Sequence, residues 1–448
     1  MKQTFWLIIP LVLMGTRVTG QENRWTFQQC LDTALQRNLT VNQSRLSNEL
    51  NKVSLEQSKA NRIPSVSANA SEGLNLGKNV DPTTNSFVTQ VYHSANFGVS
   101  SSLNLFNGLQ NANTIRQNRI NVQAGQYDIE KVKNDVTLNI TTGYLQVLFA
   151  YEVLSTAKSQ AAATAAQVDR TDKLVQAGKS PESDLLQIRS QQATDNLAVI
   201  TAQNQLDLAK VTLMQLMEIP ITDNFDVEVP ALAEIPSQVM QSNETIYKKS
   251  LEAMPQIPGY ALKTNAALMA QKISEGARWP RLSLGANMNT NFASSRTQGT
   301  AVNPEGYPFF SQIWDNIGQS FSLGLSIPIY SNRQIKSNID RAKINVMTAQ
   351  LNEQNVKNVL RKSIEQNYTD LKAASKKYEA TKEQLNAVEA AYLNAEKKYN
   401  VGVMNATDFL IQKNAFFQSQ STLIQAKYDY IFKSKILDFY QGKEIKFN

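Results

Sequence analysis

From Arg333 to Val401 the chain runs 69 residues without a proline or a glycine. A helix of that length extends roughly 100 Å at about 1.5 Å per residue, several times the diameter of a small domain. Such a helix has little reason to persist alone in water, because helical stability in proteins comes mainly from packing an apolar face. Its apolar residues recur at three- and four-residue spacing, so the stretch must lie against neighbouring helices. A matching stretch, Leu109 to Ala177, is interrupted only by Gly125 and Gly143. A coiled-coil rod satisfies these two stretches, but it does not account for what lies between them.

Between them the pattern changes period, and it does so twice. The first half reads as a helix from about Thr26 to Asn61, strands near 64 to 76 and 95 to 106, then helices of about 110 to 177 and 182 to 217. The second half reads as a helix of about 242 to 277, strands near 281 to 292 and 319 to 330, then helices of about 333 to 400 and 406 to 438. Residues repeat at an offset of 224: Val136, Ile140 and Tyr144 against Leu360, Ile364 and Tyr368, and Gly178, Asp184 and Leu186 against Gly402, Asp408 and Leu410. Earlier in the repeat, Pro64 and Pro280 match at 216, which places eight extra residues in the second hairpin loop. An internal duplication explains this order. The expected division is a leader at 1–20, a first repeat at 21–219, a connector at 220–241, a second repeat at 242–438 and a short tail at 439–448.

The strands alternate. Phe97, Val99, Leu103 and Leu105 interleave with Gly98, Ser100, Ser102 and Asn104. Leu282, Leu284, Ala286 and Met288 interleave with Ser283, Gly285, Asn287 and Asn289, and Phe321, Leu323, Leu325, Ile327 and Ile329 with Ser322, Gly324, Ser326 and Pro328. The first strand is weaker, since Glu72 falls on the side of Val66, Ala68 and Leu74. Each run is long enough to cross a bilayer with one lipid-compatible and one polar face. Four strands cannot close a water-filled barrel, and open edges in hydrocarbon leave backbone groups unpaired at several kcal/mol each. The strands therefore require partner subunits or belong to a soluble sheet; because the long helices also need neighbours, a shared membrane barrel is the reading preferred. Tyr92, Tyr307 and Trp314 suit an interface between membrane and water, or simple loop packing.

Lys2, the apolar run Phe5 to Met14 and Val18-Thr19-Gly20 form a secretory leader with cleavage expected before Gln21, too short for a comfortable membrane helix. An uncleaved anchor is the alternative. Cys30 is the only cysteine, so no intrachain disulfide forms, and Phe27-Gln28-Gln29 before it is a poor lipidation setting. The chain is 42% hydrophobic and 19% charged, with mean hydropathy −0.35, which fits neither a helical membrane bundle nor a disordered chain. Its net charge of +7 is thinly spread, with no arginine–aromatic patch to bind nucleic acid. No phosphate-binding loop, zinc-protease motif or nucleophile elbow occurs. His93 is the sole histidine and reads as structural or exposed, so no enzyme activity, cofactor or metal site is expected.

In this frame the chain resembles the TolC family of outer-membrane efflux proteins, especially the form found in Bacteroidetes. The likeness is carried by Trp25 to Asn38 (WTFQQCLDTALQRN), Arg62 to Asn75 (RIPSVSANASEGLN), Leu103 to Gly108 (LNLFNG), Leu325 to Asn332 (LSIPIYSN), and the turns Ala177 to Gln187 (AGKSPESDLLQ) and Val401 to Gln412 (VGVMNATDFLIQ). The resemblance implies a mixed α/β membrane protein: a homotrimer whose protomers each give four strands to a twelve-stranded β-barrel in the outer membrane, continued by a long α-helical periplasmic barrel. It implies a channel of a tripartite efflux or type I secretion system, passively conducting what an inner-membrane transporter and a periplasmic adaptor deliver. The segment from Pro220 to Ser242 and the chain's end would form a belt around the duct.

The same resemblance places adaptor docking at a tip formed by Gly178, Leu185, Leu186, Gly402, Phe409 and Leu410. Asp184 and Asp408 would form a periplasmic constriction, although Ile411 stands where relatives carry a second aspartate, and Gln187 follows Asp184 in the first repeat. Stabilising the N-termini of their own helices is the competing role for both aspartates. A periplasmic coiled-coil adaptor or structural protein is the alternative function; it would not need four alternating strands.

Overall fold

The computed structural model describes residues 24–80, 86–89, 91–230, 241–300 and 303–447. The leader expected at 1–20 and residues 231–240 of the connector lie outside the described residues. The first half contains α1 (Phe27–Arg37), α2 (Leu39–Ala60), β1 (Ser65–Asn75), the short pair β2 (Lys78–Val80) and β3 (Phe87–Thr89), β4 (Tyr92–Asn107), α3 (Gln110–Gln176) and α4 (Glu182–Leu216). The second contains α5 (Asn243–Ala253), α6 (Gln256–Gly276), β5 (Arg281–Ala293), β6 (Thr297–Thr300), β7 (Asn303–Gly306), α7 (Phe309–Asp315), β8 (Gly318–Ser326), α8 (Gln334–Asn400) and α9 (Ala406–Tyr440).

The offset read from side chains recurs in the backbone. Helices α3 and α8 are each 67 residues long, and α4 and α9 are each 35. Entry to both long helices uses two consecutive residues in the left-handed region: Gly108 and Leu109 at φ 63° and 64°, Asn332 and Arg333 at φ 48° and 62°. That kink turns the chain from strand to helix. At Gly108 it also brings the backbone against α6, where an added Cβ would stand 2.1 Å from the Gly276 carbonyl oxygen. The extra length of the second hairpin loop accommodates α7.

Two expected helices are each divided. Asn38 leaves helical conformation at ψ 125° and caps α2 by accepting from the Thr40 and Val41 N–H groups, so 26–61 becomes α1 and α2. In the second half Met254 is extended at ψ 118°, as a residue before proline prefers, and Pro255 starts α6. The last strand stops at Ser326 rather than near 330, because Pro328 has no N–H to offer a ladder.

The four long strands form one antiparallel sheet in the order β1-β4-β5-β8, so the hairpins of the two repeats join through β4 and β5. Both outer strands keep one edge open. Helix packing follows the same order, with α2 against α3, α3 against α6 and α6 against α8. Strand register aligns the two faces. One carries Ala68, Val99 and Met288 in one row and Leu103, Leu284 and Leu323 in another; the opposite face carries Ser67, Ser100, Asn287 and Ser320, then Ser65, Ser102, Gly285 and Ser322. Hydroxyl pairs span the polar face, Ser65 to Ser102 at 2.9 Å and Ser67 to Ser100 at 2.8 Å.

The main apolar core lies midway along the helices. Val136, Ile140, Tyr144 and Leu148 of α3 are buried there with Leu360 and Ile364 of α8. Phe447 closes it by packing on Phe27 and Tyr144, and Trp25 pairs in parallel with Val227. Cys30 is buried in this core; desolvation pushes its thiol up to about 12, so it is a packing residue.

Candidate functional site

The far end of the molecule is made by the two Gly-centred turns. At the first, the Gly178 N–H donates to the Val175 carbonyl at 2.9 Å and the Lys179 N–H to the Leu174 carbonyl at 2.8 Å. At the second, Gly402 donates to Tyr399 at 3.0 Å and Val403 to Lys398 at 2.9 Å. This pair of bonds satisfies the last carbonyls of α3 and α8 and requires a left-handed residue, met by φ 70° at Gly178 and 78° at Gly402. A Cβ at either glycine would meet nothing within 4 Å. Backbone conformation selects glycine here, and the surface around both turns is open.

The six docking candidates separate by exposure. Gly178, Gly402 and Leu186 are exposed, whereas Leu185, Phe409 and Leu410 are buried within the protomer. Phe409 stacks on Tyr399 with ring centroids 4.7 Å apart, and with Leu410, Ile188 and Ala395 forms the small core that ties α4, α8 and α9 together at the tip. Sequence reasoning did not single out Val401 and Val403, which flank Gly402 and are 74% and 77% exposed, or Ile411 as an open apolar side chain. Their signal was available: apolar residues beside a turn that has no core of its own.

Both aspartates sit in the first turn of their helices. The Ser180 hydroxyl donates to Asp184 at 3.0 Å. Asn405 accepts the Asp408 N–H at 2.8 Å and donates its amide to the Asp408 carboxylate at 2.9 Å, a reciprocal cap. The two hairpins meet side by side through Thr407 donating to Gln187 and Asn414 to Gln191, both at 3.2 Å, through Thr171 and the Tyr399 hydroxyl at 3.1 Å, and through Arg170 donating to the Asn400 carbonyl at 3.0 Å.

Behind the tip lies a buried ionic network that periodicity did not disclose. Lys413 of α9 and Asp195 of α4 are 1% and 2% exposed, with 3.6 Å between Nζ and Oδ2. Thr164 of α3 bonds to both, and Gln160 and Gln191 donate to Asp195 at 2.9 and 2.8 Å. Burial pulls the Lys413 ammonium below its ordinary pKa, partly offset by Asp195. At the opposite end, exposed His93 stands 3.7 Å from Glu72. Among the described residues no three His, Cys, Asp or Glu side chains gather to hold a metal, and no helix is long and apolar enough to cross a membrane.

A profile of the family described as outer membrane efflux protein matches residues 30–217 and 246–442, most of the chain and both halves of it. The chain belongs to the outer membrane efflux protein family. This outer membrane efflux protein is 23% identical over 429 residues to the outer membrane efflux protein BepC of Brucella suis, covering 95% of this chain and 88% of that one. It is 24% identical over 323 residues to the outer membrane protein TolC of Escherichia coli, covering 71% and 63%. Its fold matches a crystal structure of CusC with a TM-score of 0.78 at 17% identity, covering 93% and 92%. Membership places the efflux protein in the outer membrane with its helices in the periplasm, as a passive channel and not an enzyme.

Proposed function

We propose that three copies of the chain close a twelve-stranded barrel and a helical duct, and that the duct completes a tripartite efflux or type I secretion system by receiving substrate from an inner-membrane transporter through a periplasmic adaptor. One observation carries the trimer: the protomer is unfinished in the same way on both flanks. The open edges of the sheet are β1 and β8, and the flanking helices that continue them are α2 and α8. Each helix presents an apolar stripe to solvent, Leu46, Leu50 and Val53 on α2 and Ile344, Met347 and Leu351 on α8, all at least 60% exposed. Counted along their helices at about 1.5 Å per residue, both stripes begin within about 10–15 Å of the helix end nearer the sheet. Pairing β1 with a neighbour's β8 therefore sets stripe against stripe. A periplasmic adaptor would leave this coincidence and the bilayer-length apolar face unexplained.

In this reading the apolar sheet face meets outer-membrane lipid and the polar face lines the pore. Residues 21–219 and 242–438 act as the two repeats, and 220–241 with the tail at 439–448 belongs to the belt. The adaptor contacts Gly178, Gly402 and Leu186 directly, while Leu185, Phe409 and Leu410 hold the hairpins in the shape it recognises. Asp184 and Asp408 ring the entrance. Kinship with the Bacteroidetes form in particular rests on the sequence blocks alone.

Leu50→Cys combined with Met347→Cys tests the assembly. Mild oxidation of outer-membrane fractions is expected to give covalent trimers, with Cys30 too buried to interfere. A soluble monomer, or crosslinks confined to single chains, overturns the proposal.

A further inference from the structure

The eight extra residues of the second hairpin loop accommodate a helix with no counterpart among the described residues of the first. That helix, α7, lies over the apolar face of the sheet. Four hydrogen bonds fasten it there. The Gln312 amide, fully buried, donates to the Ala293 carbonyl at 3.1 Å and its oxygen accepts the Ala293 N–H at 3.1 Å. Thr290 donates to the Ile313 carbonyl at 2.6 Å, and Asn316 to the Asn291 carbonyl at 2.9 Å. Phe309 packs at one end against Phe292 and Phe97, with centroids 4.9 and 6.3 Å apart. The Thr290 and Asn316 bonds hold the other end. There a cleft of about 500 Å³ opens between Ile313, Trp314 and Ile317 on one side and Ala68, Val99 and Met288 on the other.

A cleft of this volume is in the range of small-molecule sites, but no ionisable side chain lines it. A polar ligand would find little to pair with there. Its position narrows the occupant further. The lining strand residues belong to the face that the outer-membrane reading assigns to lipid, and the cleft is continuous with that face. Trp314 and Phe310, 73% and 75% exposed, extend the same apolar surface along α7. A neighbouring subunit joined at the β1 edge would continue the sheet sideways without covering this face.

We infer that the cleft under α7 is a built-in site for one acyl chain of an outer-membrane lipid. The helix thereby anchors the barrel at a fixed depth. The chain enters from the surrounding membrane, lies between Trp314 and Met288, and replaces the water that an apolar cleft holds poorly. This inference rests on the barrel reading above.

The assembled protein in vesicles of phosphatidylethanolamine carrying a photoactivatable acyl chain tests it, with labelled residues located by mass spectrometry. Labelling at Met288, Ile313 and Trp314 is expected to exceed that at Phe321 and Leu323 about tenfold, the ratio for a preference of about 1.4 kcal/mol. Val99→Trp, which fills the cleft from the strand side, abolishes the excess while Phe321 and Leu323 keep their label. Gln312→Leu, which unfastens α7, gives the same loss and serves where Val99→Trp fails to assemble. Equal labelling across the face overturns the site and leaves the barrel intact, and so does a cleft protected by a second copy of the chain. No label at Phe321, Leu323 or Leu325 overturns the barrel reading, and the site with it.

Discussion

Single residues carry most of the molecule's intolerance to change where charge is buried. Lys413 and Asp195 have given up water for each other and for Thr164, Gln160 and Gln191. Removing one partner strands the other, at a cost of about 3–5 kcal/mol, whereas replacing both with apolar residues of similar size is close to neutral. Lys413→Met is therefore expected to lower the thermal midpoint of the extracted protein markedly, and Lys413→Met with Asp195→Leu to restore most of it. Equal losses in the two variants would show that the network contributes net stability. Nothing in the sequence announced this pair. Lys413 and Asp195 lie on separate helices 218 residues apart, and a lysine or an aspartate in a polar helical run reads as solvated. The glycines at 178 and 402 were legible for the opposite reason: a helix end needs a left-handed residue locally, whatever surrounds it.

At the scale of elements, the junction between strand and helix is where the fold is tightest. Gly108 needs positive φ and has the Gly276 carbonyl where a side chain would go. Gly108→Ala combines a left-handed penalty of about 1–2 kcal/mol with overpacking of about 1–3 kcal/mol. The expected result is loss of the proposed trimer from outer-membrane extracts, with Gly178→Ala, which meets open space, much milder. Similar behaviour of the two would mean that φ alone matters at 108. Element types and most boundaries followed from periodicity and punctuation, as with α3 and α4, which end within a residue of expectation. The break at Asn38 did not, since a cap inside an apolar-periodic run is a matter of one side chain's bond to the backbone; the break at Met254 carried a signal in Pro255 that the periodicity overrode. Strand pairing was hidden too. Alternation gives each strand two faces but no neighbour, and only the structure joins β4 to β5.

Across the whole molecule, charge is distributed unevenly along the path that substrates take. The polar face of the sheet offers serine, asparagine and glycine, with Arg281 at its helix-side end. Any preference for cations must then arise lower down, where Asp408, like Glu182, is an exposed carboxylate at the tip. Asparagine there still accepts from Asn405, so Asp408→Asn removes charge and spares the cap. The zero-current potential of the purified protein in planar bilayers under a salt gradient is expected to move towards zero; an unchanged value would leave Asp408 as a helix-capping residue only. The equality of helix lengths has a separate consequence. Because α3 matches α8 and α4 matches α9 residue for residue, both turns end at one level, and six of them would make a flat rim in the proposed trimer. A partner docking on that rim would meet an even seat. Evolution can lengthen or shorten the tube to suit a periplasm of different depth only by editing both repeats in step, so each half serves as the gauge against which the other is cut.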